Sequence, residues 1–389
     1  MSSLAALSAD VPTDDTAPAA VAKTSRRIPE LDGLRGFAAL IVVLSHYFGE
    51  AAHGLAHLQI GWLGVNTFFV LSGFLIGGII LDQGGKPGFL KSFYFRRVAR
   101  IFPIYFAVFL SVILLANLTA GHRWSDQPFS AAVYATFTTN FAQSLYGLGS
   151  VWLRPTWTLA VEEQFYLLLP FVILFTPRRM LAPLLAGLWV AALAFRIALM
   201  DAHPIAAWQL LPCRMDLLLG GVMLAMIYRK LDLSSHLVWL RLTWGILIVA
   251  LDLLVLADQR NVLLIVMGSA TSIGIACFML AAFYGAPEGR YVRAGWMRWF
   301  GQISYCLYLV HQPVNGLLHG LLLNEPASVG SLPSVAVTLL AFGVSVAVAA
   351  ASWRWFEKPI LAWAAAENRS FMQRARSLPT VSAKYASPS

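Results

Sequence analysis

Charge is scarce in this sequence. Only 12% of its 389 residues are Asp, Glu, Lys or Arg, against about 25% in a soluble domain. Cysteine is scarcer still: Cys213, Cys277 and Cys306 lie far apart in apolar stretches with no CxxC spacing. That excludes a disulfide framework or a zinc ribbon and reads as buried, inert thiols. The loop LDQGGKPGF has glycines and a lysine but lacks the Gly-Lys-Ser/Thr ending of a phosphate-binding loop. His53 and His57 are four apart with no third ligand nearby, so no metal site is expected. No apolar central region with a small-residue cleavage site precedes Arg26, which argues against a signal peptide. No fixed-period repeat is visible.

What the chain has instead is apolar surface: 58% hydrophobic residues and a mean hydropathy of +0.68. The net charge of +9 does not mark a nucleic-acid binder, because the basic residues sit between apolar segments and form no single soluble patch. A spanning helix needs about 20 mostly apolar residues. Segments of that kind run near 31–48, 62–81, 98–118, 157–176, 180–200, 211–228, 237–257, 262–284, 299–320 and 333–356. Residues 131–148 are long enough but studded with Thr, Asn, Gln and Gly. If they do not span, every loop Lys and Arg except Arg123, Arg154 and Arg260 falls on one side. The positive-inside rule favours that arrangement. The expectation is an all-α polytopic membrane helix bundle of about ten transmembrane helices with both termini cytoplasmic, multi-pass in a bacterial inner membrane. Residues 131–148 form an outer-face re-entrant segment. Residues 1–27 read as a disordered cytoplasmic tail, 28–361 as the membrane domain and 362–389 as a second cytoplasmic tail, with no appended soluble domain in either.

Within the first apolar segment, LDGLRGFAALIVVLSHYF, Arg35 and His46 stand with ten residues between them. Ionisable groups inside a membrane helix are functional candidates by default. At 1.5 Å per residue the two are separated by roughly 16 Å along the axis, Arg35 toward the cytoplasm and His46 toward the outer side. Glu162 and Glu163, Asn66, and Arg214 with Asp216 fall in other segments at about the depth of His46, as one outer-half polar layer. Arg96, Arg97 and Arg100 open the third segment, with Arg97 and Arg100 on one face. Guanidinium forks suit phosphates, so Arg35, Arg97 and Arg100 are candidates for holding an anionic donor. His46 is the candidate base for an acceptor hydroxyl. Coenzyme A fits this shape, its phosphates at the arginines and its long arm reaching inward. Blander readings stand beside these. Arg96 serves topology, Arg214 and Asp216 form a structural ion pair, and His311 is interhelical hydrogen-bond glue.

Seven stretches in order carry a resemblance: LDGLRGFAALIVVLSH, GVNTFFVLSGFLI, FRRVARIFPIY, WTLAVEEQFYLLLP, CRMDLLLGG, ISYCLYLVHQP and FEKP. Over about residues 28–361 the chain resembles the membrane-bound acyltransferase type 3 family, the O-acetyltransferases of surface polysaccharides and related acceptors. The resemblance implies acyl-CoA (acetyl-CoA) as donor and transfer to an extracytoplasmic hydroxyl of a carbohydrate or related acceptor. It implies no metal and no nucleic-acid partner. It makes His46 the essential histidine with Arg35 its motif partner. Arg97 and Arg100 match the paired-arginine motif, and Glu162 the glutamate of the Trp-Thr-Leu-x-x-Glu-x-x-Phe-Tyr motif. Asn66, Glu163, Arg214 and Asp216 are assigned to acceptor binding. Asn66 stands where the family often has Asp, so the role of carboxylate partner for His46 falls to Glu162 or to no residue. Direct transfer and a covalent acyl-histidine both remain open. The rival function is a transporter or flippase of a polysaccharide precursor without covalent chemistry.

Overall fold

The structure, a computed structural model, describes residues 28–55, 58–256 and 260–377. The expected tail 1–27, residues 378–389 and His57 lie outside the described residues. The architecture is helical. In chain order the α-helices are α1 (Pro29–Leu44), α2 (Gly61–Gln83), α3 (Phe89–Leu118), α4 (Ala131–Ala135), α5 (Thr139–Tyr146), α6 (Thr156–Phe175), α7 (Arg178–Met200), α8 (Pro204–Gln209), α9 (Leu211–Lys230), α10 (Leu237–Leu256), α11 (Arg260–Phe283), α12 (Gly289–Arg293), α13 (Gly295–Leu323), α14 (Leu332–Ser352) and α15 (Lys358–Ser377). Among the described residues no β-strand occurs, and the single β-bridge joins Ala52 to Ser328. Local chemistry sets the ends. Proline stands in the first turn of α1, α8, α9 and α14, where a missing N–H costs nothing. Ser331 and Ser334 form a reciprocal capping box at α14. Asn324 ends α13 in the left-handed region.

Nine helices among the described residues are long and apolar enough to cross a membrane. The tenth expected segment, 299–320, lies within α13, a 29-residue helix. It carries buried Ser304, His311, Asn315 and His319, which hold its apolarity below that of the other nine. The helix packs between α1 and α14, away from lipid, and there His311 bonds His46 and His319 bonds Thr338. Residues 131–148 form the two short helices α4 and α5 rather than one span. The helix α15 runs through the 361/362 boundary as far as Ser377, lying along α3, with Phe95 against Trp363 and Lys91 over the ring of Phe371.

The bundle has an inside and an outside. α1, α2, α9 and α13 form the interior, with Ala38, Ala39, Val42 and Val43 of α1 fully buried. α7 and α10 lie at the periphery and expose Val190, Phe195, Ile197, Ile246, Val249 and Leu253. So much exposed apolar surface suits contact with acyl chains. Glycine brings the inner helices together. A Cβ on Gly33 would lie 1.7 Å from the Val292 carbonyl oxygen, and one on Gly301 would lie 1.8 Å from that of Asp32. The α2/α9 contact uses the same device, through Gly73 against Leu218 and Gly221 against Val70. In a bilayer, where helix association rests on close packing, small residues make such approach possible.

Candidate active site

A cleft with about 860 Å³ of space between its walls opens among α1, α2, α3, α6 and α13. Its charged lining is Arg35, Arg97, Arg100, Glu162 and Glu163. Three guanidinium groups thus outnumber two carboxylates. α1 presents Arg35, which pairs with Asp32 one turn earlier at 3.7 Å. α3 presents Arg97 and Arg100 from one face, three residues apart. The Arg97 guanidinium lies 6.0 Å from the Tyr166 ring, and Arg100 is exposed. α6 presents Glu162 and Glu163. Tyr166, one turn on, donates to Glu162 Oε2 at 3.2 Å, and its hydroxyl also bonds Ser72 of α2. Arg97 Nε and Glu163 Oε1 are buried with no hydrogen-bond partner among the described residues. A buried unpaired donor and acceptor on facing walls cost free energy unless a ligand or water completes them. The charged part of the cleft lining thus carries a surplus of cationic donors.

Tyr308 of α13 closes one part of the cleft wall. Its hydroxyl bonds Thr158 at 2.9 Å and donates to the Pro155 carbonyl at 3.2 Å. Its ring meets Phe68 edge-on at 5.8 Å and stands 5.9 Å from the ring of His311. Beyond it lies His46, which does not line the cleft. His46 sits in a π-helical turn, Ser45–Gly49, that continues α1, with Glu50 N–H donating to Ser45 O at 2.7 Å. Such turns insert one extra residue and often occur at functional sites. His46 Nδ1 is 2.7 Å from His311 Nε2. His46 Nε2 is 3.7 Å from Glu50 Oε2, and Ser45 donates to the other Glu50 oxygen at 3.1 Å. The His46 side chain keeps 17% of its surface exposed. Among the described residues no group of three or more His, Cys, Asp or Glu is arranged to hold a metal ion.

A third cluster lies apart from both. Arg196 and Asp216 are fully buried and pair at 2.6 Å, with Ser269 donating to Asp216 at 2.8 Å. Arg214, also fully buried, stacks over Trp208 at 3.9 Å and Trp157 at 5.7 Å. None of its guanidinium nitrogens is hydrogen-bonded among the described residues. Asn66 donates to Thr271 at 2.9 Å and leaves its Oδ1 buried and unpaired.

The single outer-half layer expected from depth is therefore divided in the structure. Glu162 and Glu163 join Arg35, Arg97 and Arg100 in the cleft. Arg214 and Asp216 sit in the third cluster, and Asn66 turns to Thr271. Depth along a helix follows from residue count, but the neighbour a side chain meets depends on rotation about the axis and on packing. Among the described residues, the carboxylate within ion-pair distance of His46 is Glu50 rather than Glu162, whose oxygen takes the Tyr166 hydroxyl. Sequence reasoning passed over Glu50, although the spacing His46–Glu50 is one helical turn. It treated His311 as interhelical glue, and no local signal pairs two residues 265 positions apart.

Comparison with known proteins bears on this arrangement. A family model described as an acyltransferase domain matches residues 28–354. The chain is 28% identical over 360 residues to YrhL of Bacillus subtilis, covering 86% of this chain and 55% of that protein. It is 27% identical over 363 residues to the peptidoglycan O-acetyltransferase OatA of Listeria monocytogenes, covering 86% and 56%. To the O-acetyltransferase OatA of Staphylococcus aureus it is 27% identical over 369 residues, covering 86% and 57%. The chain thus spans little more than half the length of these relatives. No solved structure matches it. With the family match extending over most of the chain, and with motif residues gathered in one cleft, one histidine pair and one buried cluster, the chain belongs to the membrane-bound acyltransferase type 3 family.

Proposed function

We propose that this protein is an O-acyltransferase that moves an acyl group, acetyl by similarity to its relatives, from cytoplasmic acyl-CoA to a hydroxyl of an extracytoplasmic carbohydrate such as a cell-wall glycan. Both termini are cytoplasmic in this reading, and the protein is multi-pass in the bacterial inner membrane. The observation that carries it is spatial order: the arginine cleft, then Tyr308, then the His46–His311 pair. Arg35, Arg97 and Arg100 hold the phosphates of the donor, where paired guanidinium donors are strongest. The thin acyl-bearing arm passes Phe68 and Tyr308 to reach His46. An acceptor in this reading arrives from the outer side and meets the partly exposed His46.

His46 takes the proton of the acceptor hydroxyl as that oxygen attacks the thioester carbonyl. The new bond is acyl carbon to acceptor oxygen, and the bond broken is acyl carbon to sulfur. The leaving thiolate recovers the proton from the imidazolium. Glu50 at 3.7 Å stabilises the imidazolium while it exists. Glu162 and Glu163 balance the arginines and shape the donor side. Positioned proton transfer of this kind contributes about 100- to 10,000-fold.

The test uses purified protein with labelled acetyl-CoA and a glycan acceptor. His46→Ala, with its melting profile retained, should abolish label transfer. Transfer at the native rate by that variant would overturn the mechanism.

A further inference from the structure

We infer that His311 is a positioning residue that sets the tautomer of His46, leaving Nε2 of His46 as the nitrogen that accepts the substrate proton. The inference rests on the reading of His46 as the base. Its evidence is a directional chain of contacts. His311 Nδ1 lies 3.2 Å from the carbonyl oxygen of Leu307, one turn earlier on α13. A carbonyl oxygen only accepts, so Nδ1 of His311 carries the hydrogen. A neutral His311 then offers the lone pair of its Nε2. That atom is 2.7 Å from His46 Nδ1, which must therefore be the N–H donor. What remains on His46 is a bare Nε2, on the edge of the ring that looks toward Glu50.

The ring geometry agrees. The two imidazole planes differ by 7° with centroids 5.0 Å apart. With one N···N contact as short as 2.7 Å, the contact must run along the ring planes. A ring lone pair points in that direction, and a face-to-face stack would not use it. Burial favours the singly protonated His311, since the residue has no exposed surface and burying an unpaired charge is costly.

The clamp is anchored twice. Tyr47, next to His46, donates its hydroxyl to the His311 carbonyl oxygen at 2.6 Å and contacts Ser345 of α14 at 3.0 Å. Residues 46 and 47 thus grip one residue of α13 through its side chain and its backbone. The π-helical turn sets these two consecutive side chains against that one partner. A base works only if its free lone pair faces the reacting proton, and which ring nitrogen is free is decided by the bond the other one makes.

The test compares two substitutions in the full-length protein. His311→Gln supplies a carbonyl oxygen that can accept from His46 Nδ1–H, whereas His311→Leu supplies none. The expected result is a kcat lowered about 100-fold or more in His311→Leu, with the KM for acetyl-CoA unchanged, and substantial recovery of kcat in His311→Gln. Equal activity of both variants, with His46→Ala inactive, would overturn the role of His311 while leaving that of His46 standing. An active His46→Ala would instead remove the base itself. Should both variants fail to fold, nitrogen-15 resonances of the native protein decide: a protonated Nδ1 on His46 supports the inference and a protonated Nε2 overturns it.

Discussion

Tyr308 and His311 lie one turn apart on α13, with ring centroids 5.9 Å apart, yet they belong to different spaces. Tyr308 lines the arginine cleft, and His311 holds the histidine beyond it. One helix therefore forms the partition between the arginine cleft and the histidine pair. At that partition the Tyr308 and Phe68 rings meet edge-on at 5.8 Å.

Enlarging that partition should separate binding from chemistry. Tyr308→Trp is expected to lower kcat at least tenfold while leaving acetyl-CoA affinity close to native, since the arginines are untouched. Equilibrium binding of acetyl-CoA measured beside turnover checks this. A matching loss of affinity would place the acyl arm elsewhere.

The arginines should govern donor affinity. Hydrogen bonds to charged groups contribute about 1.5–3 kcal/mol, so Arg97→Ala is expected to raise the KM for acetyl-CoA by roughly 10- to 100-fold. Arg97→Lys should recover only part of this, because an ammonium lacks the planar fork. Steady-state kinetics with varied acetyl-CoA provides the measurement, and an unchanged KM in Arg97→Ala would speak against a phosphate contact.

Glu50 should act on rate alone. Glu50→Gln keeps an acceptor for Ser45 but removes the charge 3.7 Å from His46 Nε2. The pair is partly exposed, so a kcat loss of about fivefold is expected, the size of a roughly 1 kcal/mol surface interaction. A loss approaching that of His46→Ala would instead make Glu50 a direct participant in proton transfer.

The Arg196–Asp216 pair should be a stability element. Both side chains are fully buried, and breaking such a pair by removing one partner costs about 3–5 kcal/mol. Asp216→Ala is therefore expected to lower the melting temperature in detergent strongly. Arg214→Met should cost far less, because no hydrogen bond to its guanidinium is lost among the described residues. If Arg214 contacts the acceptor, that variant will instead show a raised acceptor KM at near-native melting temperature.

Helix contact at glycine gives the last expectation. Gly301→Val would force a side chain into the Asp32 carbonyl, with even the first carbon 1.8 Å from its oxygen. Since α1 carries both Arg35 and His46, the variant should lose folded yield and activity together, as seen by size-exclusion chromatography beside turnover.

The sequence by itself determined the helical membrane architecture, because chain segments of about 20 apolar residues have few other solutions in a bilayer. It also indicated that residues 131–148 would not span, since that arrangement gathers nearly all the loop Lys and Arg on one side. The three cleft arginines and His46 were legible for the same reason: charge inside an apolar segment is conspicuous. Tertiary structure decided which of these groups meet. Glu162 sits with the arginines because α6 turns that face toward α1 and α3. His46 finds its partners in Glu50, through a π-helical turn, and in His311, through the glycine-mediated approach of α13. Spacing along one helix reports depth but says nothing of rotation, and the hydrogen-bond partner of a buried imidazole is set by the neighbour that packing places in the plane of its ring.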